Sequence, residues 1–168
     1  MRQTFATLLQ VQREGFLDRF AIGGAVAAAY YVEAVVTEDL DVFTFLRSAP
    51  SGLLEITPLY DRLRELGGEP QDEYVLIAGW PVQILPVYTQ LVEEAVLAAR
   101  DCRYEDLVVP VLSPEYLCAI ALQTGRPKDF ARVHSFITGN AVDAGRLQAL
   151  VDRFSLMLRW KDYERRYA

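Results

Sequence analysis

The stretch "RFAIGGAVAAAYY", Arg19 to Tyr31, constrains the fold more than any other part of the chain. A short β-prone apolar run meets two adjacent glycines and gives way to an alanine-rich segment whose small side chains suit close helix packing. A strand that passes through Gly23 and Gly24 straight into a helix sets that helix's N-terminus at the end of a sheet. Bare backbone there can approach an anion, or simply make a tight turn. The segment therefore reads as a strand, a glycine turn and a helix over Ala25 to Val32. Next comes "DLDVFTFL", Asp39 to Leu46, which is β-rich and alternates with period two. On a strand, Asp39 and Asp41 project from one face while Leu40 and Val42 turn to the other.

The remaining pattern fits an α/β (α+β) chain. Phe5, Leu8, Leu9 and Val11 recur at helical spacing within residues 3–14. The acidic strand is expected to end at the turn cluster "SAPSG", residues 48–52. Thr57 and Pro58 predict an N-cap and first turn for a helix through Leu66, closed by Gly67 and Gly68. "EYVLIAG" and "PVQILP" predict a hairpin joined at Gly79 and Trp80. Residues 89–100 return to helical spacing, and "LVVPVL" predicts a strand that Pro110 confines to an edge or a bulge. Ser113 and Pro114 open a further helix, and from there on the pattern is helical. The expected architecture is a mixed β-sheet flanked by helices over residues 1–112, followed by a helical C-terminal part over 113–168 packed on it.

The chain has 168 residues, enough to bury a sizeable core without staples. Cys102 and Cys118 are its two cysteines and His134 its one histidine, so neither a disulfide framework nor a four-ligand zinc site of Cys and His is available. With no apolar run near the roughly 20 residues of a membrane span and no signal-like start, a cytoplasmic protein without membrane contact is expected. The net charge of −6 argues against a broad electrostatic grip on nucleic acid. Its distribution is uneven: residues 1–100 hold seven Arg against fourteen Asp or Glu, whereas residues 101–168 hold ten basic and nine acidic side chains. Such a split suits a metal site facing a phosphate-holding segment, although ordinary solvated surface is the simpler account of it.

An acid-x-acid spacing is common in a chain with 23 acids and is no site by itself. Its pairing with the glycines is more telling. Two close carboxylates repel unless a cation lies between them, and hard divalent ions take carboxylate and phosphate oxygens together. A phosphate cradle beside a metal pair supplies what phosphoryl-type transfer needs, which is positioning and charge neutralisation.

"IGG" at Ile22 to Gly24 followed by "DLDV" at Asp39 to Val42 resembles the signature of the polymerase-β-like nucleotidyltransferase fold. Within it, the chain is similar to the small abortive-infection toxin-type nucleotidyltransferases, a likeness continued at "PVQILP" and "LSPEYLCAIALQTGRPKDFARV". The resemblance implies a magnesium-dependent (or manganese-dependent) enzyme that moves a nucleotidyl group from a nucleoside triphosphate to a hydroxyl of a tRNA, a protein or a small molecule, with a cognate antitoxin as a further partner. It implies Asp39 and Asp41 as metal ligands and catalytic residues, and Gly23, Gly24, Thr37, Arg126 and Lys128 as nucleotide-binding residues.

The sequence departs from the pattern in places. Gln83 stands where the third catalytic carboxylate is expected, and an amide cannot act as a general base at neutral pH. Val35 and Val36 lie where many relatives carry an arginine, and Ala121 where relatives often have a lysine. Asp72 and Glu73, at the start of the hairpin, are the nearest substitutes for the missing acid. The alternative reading is a non-catalytic nucleotide-binding or toxin–antitoxin interaction protein with a degenerate site. A third, weaker reading is nucleic-acid binding through the C-terminal helices.

Overall fold

In the computed structural model, residues 1–33, 37–46 and 56–167 are described. The turn expected at 48–52 and the positions of Val35 and Val36 lie outside them. The elements run α1 (Arg2–Arg13), β1 (Phe20–Ile22), α2 (Gly24–Ala28), β2 (Leu40–Thr44), α3 (Thr57–Glu65), β3 (Glu69–Gln71), β4 (Tyr74–Ile77), β5 (Trp80–Pro86), α4 (Gln90–Leu97), β6 (Arg100–Tyr104), β7 (Leu107–Val111), α5 (Pro114–Thr124), α6 (Pro127–Thr138), α7 (Ala144–Arg153) and α8 (Met157–Tyr167). The strands form one seven-stranded sheet in the order β3-β4-β5-β2-β1-β7-β6. It is mixed: β2 runs parallel to β5 and β1 to β7, while the remaining neighbours are antiparallel.

Residue chemistry accounts for most of these elements. The apolar stripe of α1 buries Phe5, Leu8 and Val11, and α1 packs against β4, β7 and α3. Thr4 on α1 donates from its hydroxyl to the Ile77 carbonyl at 3.0 Å. Thr89 caps α4 by accepting from Val92 N–H, and Asp143 caps α7 by accepting from Arg146 N–H. Leu40, Val42, Val75, Val82 and Ile84 are buried within the sheet. On the sheet's other face α5 packs against α2, α4, α6, α7 and α8.

Several local expectations shift. The helix after the glycines is shorter than Ala25 to Val32, and Thr57 is already helical, with Ile56 as the cap residue. Strands β3 and β6 carry no apolar alternation: β3 is "EPQ", wholly exposed, and β6 is "RDCRY" at the sheet edge, starting at the residue where helical spacing was expected to end. Pro110 lies in an inner strand, because β6 covers the edge. Backbone N–H groups alternate sides, and Leu112 N–H bonds the Ile22 carbonyl, so the donor Pro110 lacks is also on the β1 side. The bridge there is Ile22 to Val111 alone, so no β1 ladder needs it.

Candidate functional site

The acidic strand sits at the centre of the sheet, between β5 and β1. Register fixes what surrounds it. Asp41 lies opposite Gln83 on β5, and Val75 on β4 lies opposite Val82, so one further step brings Tyr74 beside Gln83. Directly opposed residues share a face, so Asp41, Gln83 and Tyr74 form a row across three strands, on the face that α2 covers. Asp39, one residue before β2, continues that face. The Thr37 hydroxyl donates to Asp39 Oδ1 at 3.0 Å and to its carbonyl at 3.2 Å, holding the first carboxylate in place.

The glycines let α2 settle onto this row. A Cβ on Gly24 would fall 2.0 Å from Asp41 Oδ2, and one on Gly23 would fall 2.3 Å from the Phe43 ring. Gly24 also has φ +59°, in the left-handed region where a side chain is strained. Gly23 N–H bonds the Asp41 carbonyl at 2.9 Å. The space freed by the two missing side chains is therefore filled by the acidic strand itself, and the glycine turn and Asp41 form one contact.

Burial outweighs charge in the electrostatics of the row. Burial, and then the Asp39 carboxylate, push the Asp41 carboxyl above its ordinary range, while Arg132, Arg126 and Lys128 pull it back. Tyr74 feels the same field: partial burial, followed by Asp39, Glu73 and Asp41, raises its phenol. The three cations all come from α6 and its cap. Arg126 clasps the buried Asp129 with two bonds, at 2.7 and 3.2 Å, and Arg132 lies 3.8 Å from the same carboxylate. Lys128 is exposed and makes no ion pair among the described residues. Arg126 thus has a capping role, while its charge remains within reach of both acids.

Two residues escape sequence reading. Arg132 follows Lys128 by four positions, which is one helical turn, so helical spacing through "KDFAR" would have placed both on one face. Tyr74 needed the strand register. Of the candidate replacements for the third acid, Asp72 and Glu73 are exposed in the β3–β4 turn, with Asp72 at φ +49°. Ala121 is buried in α5 and contributes packing. Tyr30 and Tyr31 flank the end of α2, and the Tyr31 hydroxyl lies 3.9 Å from Cys102 Sγ. His134 stacks on Tyr167 with ring centroids 4.6 Å apart.

Among the described residues no three His, Cys, Asp or Glu side chains gather as a metal site. Asp39 and Asp41 are a two-carboxylate set. That suits a hard cation such as magnesium, which takes one or two protein carboxylates and completes its shell from water and phosphate. The raised Asp41 carboxyl fits this use, since a cation would relieve both its burial and its repulsion from Asp39.

No family model matches the chain, and no curated protein matches it. Solved structures do. A crystal structure of an antigenic nucleotidyltransferase-like protein from Paracoccidioides brasiliensis is similar with TM-score 0.58 and 14% identity, covering 89% of this chain and 84% of that one. The solution structure of the antibiotic-resistance factor ANT(2'')-Ia is similar with TM-score 0.53 and 16% identity, covering 97% and 95%. At such identities the likeness establishes the fold: a mixed α/β sheet flanked by helices, of the nucleotidyltransferase-like kind.

Proposed function

We propose that the protein is a magnesium-dependent nucleotidyltransferase that binds a nucleoside triphosphate against the Asp39–Asp41 row and passes its nucleotidyl group to a hydroxyl acceptor. The observation that carries this reading is the juxtaposition of Asp41 with Gly24, backed by Asp39 and faced by Lys128, Arg126 and Arg132. A nucleoside triphosphate needs both halves of that arrangement.

Asp39 and Asp41 would hold magnesium or manganese. Bound there, the ion would neutralise phosphate charge and polarise a phosphoryl oxygen. Thr37 keeps the Asp39 carboxylate oriented. Lys128 supplies a mobile positive charge to the phosphates, and Arg132 a more fixed one. The row is partly buried under α2, which leaves the acids open enough for a nucleotide to reach them. The acceptor hydroxyl would approach past Gln83, whose amide can orient it by hydrogen bonding but does not take its proton. Slow transfer follows from that residue. The acceptor is a tRNA, a protein or a small molecule, and the abortive-infection resemblance adds a cognate antitoxin as partner.

The test is calorimetric titration of each magnesium–nucleoside triphosphate, followed by transfer of labelled nucleotide. We expect one nucleotide to bind and transfer to be lost in Asp41→Asn. No binding of any nucleotide in the presence of magnesium would overturn the proposal.

Gln83 favours a second reading, a nucleotide-binding interaction protein without turnover. The substitution Gln83→Asp separates the two. If Gln83→Asp raises transfer from near zero while affinity stays level, wild type is a binder; if wild type already turns over well, that reading fails.

A further inference from the structure

A cleft of about 370 Å³ opens between α5, α7 and the start of β6, and neither α6 nor the acid row contributes to its lining. Its chemistry differs from that of the acid row. Arg100 lines it from β6, and Arg146 and Arg153 line it from α7, so three arginines border it. Glu115 lies at its base, with only 8% of its side chain exposed.

The counter-charges are already committed. Glu115 accepts from the Ser113 hydroxyl at 2.9 Å and from Asp143 N–H at 3.2 Å, leaving Arg100 at 3.5 Å, beyond an ordinary charge-assisted hydrogen bond. Arg153 pairs with Glu94 and lies 4.8 Å over the Phe154 ring. Arg146 makes no ion pair among the described residues. The cleft's own lining thus holds three arginines against one carboxylate, Glu115, with Glu94 and the helix-capping Asp143 at the rim, in a chain whose net charge is −6. Tyr116 and Leu150 provide an aromatic and an aliphatic wall. Ligand sites of this size combine apolar walls with a few convergent polar groups.

We propose that this cleft is a second binding site, separate from the acid row, for a small phosphate monoester carrying an apolar or aromatic body. Arg146 and Arg100 bind the phosphate, Arg153 adds field, and the body lies on Tyr116 and Leu150. A dianion is favoured over a carboxylate because more than one guanidinium is available to it, and guanidiniums match phosphate oxygens in pairs.

Phenyl phosphate is the probe, titrated without metal into the full chain by calorimetry, with benzoate and inorganic phosphate in parallel. We expect one molecule to bind, with benzoate and inorganic phosphate each weaker by about tenfold, the scale of one charge-assisted bond or one buried ring. Arg146→Ala, at an exposed helix position, and Arg100→Ala should each weaken phenyl phosphate by about tenfold. Asp41→Asn should leave its affinity unchanged. A thermal melt of each variant confirms that it is folded. No binding of phenyl phosphate, equal binding of benzoate, unchanged affinity in folded Arg146→Ala, or loss in Asp41→Asn would each overturn the proposal.

Discussion

At the scale of single residues, the site turns on Gly24 and Asp41. A side chain at Gly24 meets two obstacles, the positive φ and the Asp41 carboxylate, and only the second can move aside. Gly24→Ala should therefore fold with a loss of about 1–2 kcal/mol from the backbone conformation, read by urea unfolding. Its larger effect should be on metal and nucleotide affinity, because the displaced carboxylate no longer shares a face with Asp39. Asp41 carries the opposite tension. Its carboxyl is raised in the folded state, so the folded chain holds a proton that the unfolded chain has released as pH climbs through the carboxylate range, and stability falls there. In metal-free protein, Asp41→Asn should raise Tm at neutral pH and give no gain at pH below the carboxylate range. A variant that is less stable than wild type at neutral pH would show that Asp41 has a stabilising partner in the fold.

At the scale of elements, α1 and α3 are tied by Arg62, which gives Glu14 two bonds at 2.7 and 2.8 Å. Those bonds lower the Glu14 carboxyl to about 2. A depressed carboxylate stabilises the fold above its unfolded value, about 4.3, and the contribution is lost as pH falls toward 2. Glu14→Gln should flatten that part of the acid unfolding curve; an unchanged slope would mean the pair is broken in solution. At the other end, α8 is attached through Tyr163, which is 7% exposed and bonds His134 across 3.4 Å. Tyr163→Ala should cost about 3 kcal/mol in urea unfolding, as for other buried aromatic truncations.

Elements also mark how far the sequence could be read. Those with an apolar period, α1, β2, the β4–β5 hairpin, α6 and α7, were legible because their patterning records which face is buried. Strands β3 and β6 were not, since their pairing comes from backbone bonds to β4 and β7 while their side chains are mostly exposed. The same distinction divides the site. Asp39, Asp41, Gly23 and Gly24 were visible as a local motif. Tyr74 reaches the row only through strand register; Arg132 shares a helix face with Lys128 by local spacing, but that this face turns to the row comes from the docking of α6, which is not local in sequence.

At the scale of the whole molecule, the charge split between residues 1–100 and 101–168 becomes spatial. The acid row comes from the first part and the facing cations Lys128 and Arg132 from the second, so nucleotide binding would bring the two parts together. Lys128→Ala and Arg132→Ala should each weaken nucleoside triphosphate binding by roughly tenfold, and less at high salt for the exposed Lys128 than for Arg132. The central claim is that two side-by-side carboxylates, set by a glycine turn, hold a divalent ion together with a nucleotide. Electron paramagnetic resonance of manganese titrated with a non-hydrolysable nucleoside triphosphate tests it most directly. We predict one bound ion in wild type, with affinity reduced about 100-fold or more in Asp39→Asn and in Asp41→Asn. Equal manganese binding in wild type and both variants would contradict it.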